Sequence, residues 1–148
     1  MATRRNALLN GMGRAAELHK QLGLRERLSE GDRPIDILGA IQALGVLVLF
    51  RPLEGLLGAY VPTPRSAGMM ITTQRDHHVQ RFTAAHELGH HVLEHRVMSL
   101  DKDVGFAARG EQVGYDFQEV EADAFAAEFL LPKWLIVAHA RRHCWGKQ

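Results

Sequence analysis

Residues 81–90 read Arg81-Phe82-Thr83-Ala84-Ala85-His86-Glu87-Leu88-Gly89-His90. From about His77 to Arg96 there is no proline and a single glycine, while Phe82, Ala85, Leu88, Gly89, Val92 and Leu93 recur at helical spacing. That pattern predicts a central helix. Four residues along a helix advance by about 400° and about 6 Å, so His86 and His90 leave nearly one face, one turn apart, and can grip a single ion. Glu87 then stands beside the ion without binding it, where a general base would act on activated water. With nine histidines in 148 residues, about 0.04 chance matches to H-E-x-x-H are expected. The motif is therefore a metal signal.

A catalytic zinc takes three protein ligands and keeps a fourth position for water. The third ligand must come from elsewhere in the chain. Glu119 and Asp123 open a second strong helix, Phe117 to Leu131, and lie one turn apart on one of its faces, with Glu121 pointing away. Glu119 is the candidate ligand. Asp123 is the candidate partner for the remote nitrogen of a ligand histidine, which would fix the tautomer of that ring.

Outward from these helices, Leu8 to Leu22 carries helical periodicity, with Gly11 and Gly13 weakening its start. Asp32-Arg33-Pro34 reads as the start of a short helix running to Gly45, with Asp32 as cap and Pro34 in the first turn. Val46 to Phe50 reads as a buried strand, and Leu56–Val61 and Met69–Thr73 as two strands able to pair. Residues 97–115, with Gly105, Gly110 and Gly114, read as a loop. Trp134 to His143 reads as a short final helix. Helices, then a small sheet, then helices is an α+β order.

Composition narrows the function classes. Apolar residues are 46% and charged residues 24% of the chain, so a packed globular domain is expected and a disordered or fibrous one is not. A net charge of +1 gives no general pull toward nucleic acid or an anionic membrane. The apolar runs fall far short of the roughly 20 residues that span a bilayer, and Met1 to Asn10 lacks an apolar stretch long enough for a secretion signal. Cys144 is the lone cysteine, which fits a reducing compartment and excludes an internal disulfide. A cytoplasmic protein is expected.

Arg81 to His90, taken with Glu119-Val120-Glu121-Ala122-Asp123-Ala124-Phe125-Ala126-Ala127-Glu128-Phe129-Leu130-Leu131-Pro132, resembles the ImmA/IrrE family of zinc metallopeptidases. That family carries R-F-T-x-A-H-E-x-G-H followed by E-x-x-A-N-x-F-A-x-x-L-L-x-P. Pro34-Ile35-Asp36, Leu44-Gly45-Val46 and the strand pair are similar too, so the resemblance spans roughly residues 30 to 132. It implies a zincin-like α+β fold, in which a small sheet packs against helices and the H-E-x-x-H motif lies on the central one. It implies Zn2+ on His86, His90 and Glu119, with Glu87 catalytic. It also implies one protein as substrate, most often a DNA-binding helix-turn-helix repressor encoded nearby. Asp123 departs from the pattern, standing where the family more often has Asn.

The expected organisation is a single metallopeptidase domain over residues 1–148, with 1–30 as an N-terminal helical extension and 133–148 as a C-terminal helix and tail. No direct nucleic-acid contact and no membrane partner are expected. His91-Val92-Leu93-Glu94-His95 matches the inverted motif H-x-x-E-H, but His91 and His95 lie around the helix from the first pair and are expected to face solvent. Tyr60 and Tyr115, with a spare histidine, are candidates to stabilise the developing oxyanion of amide hydrolysis. The segment Ala67 to Thr73 is a candidate strand edge for an extended peptide. The competing reading is a zinc-binding regulatory module without proteolysis, in a repressor complex or a toxin–antitoxin pair.

Overall fold

A computed structural model describes residues 2–96, 98–103 and 116–143. The elements run α1 (Arg4–Leu22), α2 (Leu24–Arg27), α3 (Ile37–Ala43), β1 (Leu47–Arg51), β2 (Leu56–Pro62), β3 (Ala67–Thr72), α4 (His77–Val92), β4 (Ser99–Lys102), α5 (Phe117–Leu130) and α6 (Lys133–His143). Short polar side chains start the helices by accepting backbone N–H groups that have no partner within the first turn. Thr3 accepts from Asn6, Asp36 from Gly39, Asp76 from Val79 and Asp116 from Gln118. The cap of α3 is thus Asp36 and not Asp32. Pro34 precedes the helix by three residues, because Asp36 accepts from the Gly39 N–H at 2.9 Å.

The four strands form one mixed sheet in the order β1-β3-β2-β4, with β1 parallel to β3 and the other two pairings antiparallel. One face carries Val48, Tyr60, Ala67, Met69 and Ile71 into a core shared with Leu88, Phe125 and Phe129 of the helices. Phe125, Phe129, Ile71 and Leu88 are each 0% exposed, and each such side chain contributes roughly 1.5–3 kcal/mol by its burial. The fold is the expected α+β arrangement, a small sheet under helices with the H-E-x-x-H segment on the central helix α4.

Three expectations are corrected by the topology. β1 is an edge strand rather than a buried one, with Leu47 63% and Leu49 42% exposed, because β3 alone of the described strands pairs with it. The segment Ala67 to Thr73 is no free edge. It contains β3, whose backbone groups are engaged by β1 on one side and β2 on the other. The stretch after α4 is not wholly loop. Ser99-Leu100-Asp101-Lys102 pairs with β2 as β4, a strand formed by its partner despite the poor strand preference of Asp and Lys.

Candidate metal centre

α4 and α5 cross where both are thinnest. A Cβ on Gly89 would lie 3.1 Å from Ala122 Cα and 3.1 Å from a Phe125 ring carbon, so glycine and alanine set how closely the helices approach. Glu119 and Asp123 flank Ala122 along α5, and His86 and His90 flank Gly89 along α4. The crossing therefore brings four polar side chains together inside a layer that is otherwise apolar.

His86 Nε2 lies 3.0 Å from Glu119 Oε2, and His90 Nε2 lies 3.2 Å from Glu119 Oε1. The two Nε2 atoms are 3.2 Å apart. On its other side, His86 Nδ1 lies 2.8 Å from Asp123 Oδ1, so the ring donates there and its Nε2 points inward. His86 and His90 are 1% and 2% exposed. Burial works against a charge on His86, yet its hydrogen bonds to Asp123 and Glu119 and the charges of Glu87 and Asp101 outweigh it and lift its pKa well above the ordinary imidazole value. Burial likewise works to raise the Glu119 carboxyl, and the two imidazoles overcome it and hold Glu119 well below the usual carboxylate range. The field at this point favours a cation. Two imidazole nitrogens and a carboxylate within 4.8 Å of one another form the donor set that zinc takes in a catalytic site. The residues fit that ion.

Glu87 is 0% exposed. Its carboxylate lies within 4.8 Å of a His86 ring nitrogen and an Asp101 carboxylate oxygen. Gly58 of β2 makes room for it, since a Cβ there would stand 3.2 Å from Glu87 Oε1 and 2.6 Å from Thr83 Cγ2. Tyr60 is buried, stacks on His90 at 6.2 Å between centroids, and has its hydroxyl 3.0 Å from His91 Nδ1. Burial and the nearby Glu87 charge raise the Tyr60 pKa, which keeps the phenol protonated. Tyr115 lies outside the described residues.

Against expectation, neither His91 nor His95 faces open solvent. His91 is half-buried against Tyr60 and His95 is 5% exposed. α4 stops at Val92, and Glu94 adopts φ +58°. The His95 N–H returns to the His90 carbonyl at 2.9 Å, and the Glu94 N–H reaches the His91 carbonyl at 3.1 Å. This is a left-handed helix stop built without glycine. It folds His95 back over His90 instead of letting the helix carry it to another face. Glu121 points away from the paired imidazoles as expected, but its carboxylate meets His95 at 3.0 Å. Ser99 was missed altogether: its hydroxyl donates to Glu119 Oε1 at 3.2 Å and lies 3.2 Å from His90 Nε2. Only the pairing of β4 with β2 brings it there.

An α+β zincin-like domain with this helix crossing belongs to the metallopeptidase class of folds. A family model, the IrrE N-terminal-like domain of peptidase family M78, matches residues 41–145, and the chain belongs to that family. It is also 31% identical over 81 residues to "Uncharacterized immunity region protein 2" of Bacillus phage phi105, a match covering 55% of this chain. The chain spans about half the length of that curated relative, 48%.

Proposed function

We propose that the chain is a zinc-dependent metalloendopeptidase that cuts a specific protein, a helix-turn-helix transcriptional repressor or related regulator encoded nearby, in the cytoplasm. The reading is carried by one observation: the Nε2 atoms of His86 and His90 and the Glu119 carboxylate converge from two helices, with the Glu87 carboxylate buried near His86. Membership of a peptidase family supports hydrolysis. The phage immunity-region relative supports a repressor-related setting. Among the described residues no helix is long and apolar enough to cross a membrane.

His86, His90 and Glu119 would hold the ion. Zinc bound there supplies Lewis acidity, polarising the scissile carbonyl and lowering the pKa of water toward about 7. Glu87 takes a proton from the attacking water and delivers it to the departing amine as the C–N bond breaks, so one carboxylate serves first as base and then as acid. Asp123 orients His86 through Nδ1. Tyr60, protonated and beside His90, is the described candidate for the oxyanion.

The test is Glu87→Gln assayed against the neighbouring repressor. The variant is expected to retain zinc by metal analysis and to lose about 10²–10⁴-fold in cleavage rate, whereas Glu119→Gln is expected to lose the metal as well. A Glu87→Gln protein that holds zinc and still relieves repression as the wild type does would replace this reading with a non-proteolytic zinc module.

A further inference from the structure

The two ligand imidazoles are braced differently. His86 meets a carboxylate directly, through Asp123. Among the described residues no carboxylate meets His90 at Nδ1, which instead lies 2.9 Å from His95 Nδ1, while His95 Nε2 lies 3.0 Å from Glu121 Oε2. With both rings neutral, the contacts admit one consistent proton arrangement. Glu121 accepts only, so His95 carries its hydrogen on Nε2 and presents a lone pair at Nδ1. His90 must then donate from Nδ1, which leaves its Nε2 lone pair aimed at Glu119 and His86.

We propose that His95 and Glu121 are positioning residues for the metal centre, locking His90 in the Nδ1–H tautomer through a histidine–carboxylate relay. Two features show that the relay is built into the fold. Glu94 takes a left-handed φ of +58°, a conformation that a residue with a Cβ rarely adopts, and the result is to return His95 onto His90. Both members also sit inside the molecule, with His95 5% exposed and the Glu121 side chain 20% exposed. Glu121 moreover lies on the turn of α5 between Glu119 and Asp123, so a single helix supplies the ligand, the carboxylate that meets His86 and the carboxylate that meets His95.

The inference rests on the zinc reading of His86, His90 and Glu119, and the experiment separates the two. Zinc affinity is measured by competition with a chelator, and the cobalt-substituted visible spectrum is recorded, for wild type, Glu121→Gln and His95→Leu. Long-range proton–nitrogen spectra of the metal-free proteins at alkaline pH report which nitrogen of His90 bears hydrogen. The relay predicts about 10–100-fold weaker zinc binding in both variants and altered cobalt bands. It also predicts a His90 proton that is confined to Nδ1 in wild type and shared between nitrogens in the variants. Should His95→Leu fail to fold, Glu121→Gln decides alone. Unchanged affinity, cobalt spectrum and tautomer, even with a lowered melting temperature, would overturn the relay and leave a packing role. A wild-type protein that binds no zinc would overturn the metal reading, and the tautomer measurement would still decide the relay.

Discussion

Gly58 and Glu87 belong together at the residue scale, although 29 positions separate them. A buried carboxylate beside the His86 imidazole needs space on its far side, and β2 provides it by omitting a side chain. A Cβ at position 58 would meet Thr83 Cγ2 at 2.6 Å, the Met70 carbonyl oxygen at 2.9 Å and Glu87 Oε1 at 3.2 Å. The Met70 oxygen is backbone and cannot swing aside. Gly58→Ala is expected to cost about 1–3 kcal/mol in chemical denaturation, and the displaced Glu87 should lower turnover while zinc content stays at the wild-type level. Equal stability and turnover in the variant would show that the sheet yields at this point.

Two glycines in α1 look alike in sequence and are opposites in structure at the scale of elements. The expectation that Gly11 and Gly13 weaken the start of the helix fails, since α1 runs unbroken from Arg4 to Leu22. Gly11 is where α1 touches α5. A Cβ there would strike the Glu121 carbonyl oxygen and come within 2.9 Å of Ala124 Cβ and Phe125 N, whereas a Cβ on Gly13 meets nothing within 4 Å. Gly11→Ala is therefore expected to destabilise by about 1–3 kcal/mol through overpacking. Gly13→Ala is expected to stabilise by about 1 kcal/mol through helix propensity. Urea midpoints of the two variants check the pair, and shifts of the same sign would refute the packing argument. The same logic explains Gly89, whose missing side chain lets α4 meet Ala122 and so presents His86 and His90 to Glu119.

For the molecule as a whole, the proposed ion would join two helices that are 29 residues apart in sequence at their nearest ligands, His90 and Glu119. A ligand bound only by the folded state stabilises it by mass action, about 2.7 kcal/mol at a free concentration 100 times Kd. For a chain of this length, that corresponds to a melting temperature raised by about 5–10 °C. Scanning calorimetry with zinc and then with excess chelator should show the rise and its reversal, and Glu119→Gln should show neither. Insensitivity of the wild type to both additions would remove the ion from the account of stability.

The central helix, the His86–Glu87–His90 spacing, the second acidic helix and the α+β order of elements are legible in the chain's residues alone. Each of these is written in local periodicity, which depends on residues within one or two turns of one another. Tertiary structure alone decided that β1 is an edge strand, that β3 is enclosed, and that Ser99 reaches His90 and Glu119 from a strand its own residues do not favour. It also decided the fate of His95. A helix continued on paper turns that ring away from His90, but the left-handed backbone at Glu94 turns it back, and no spacing rule foresees a turn that a glycine would ordinarily mark. Contacts between distant segments depend on which faces pack, and a linear pattern does not encode that choice until the helices have met.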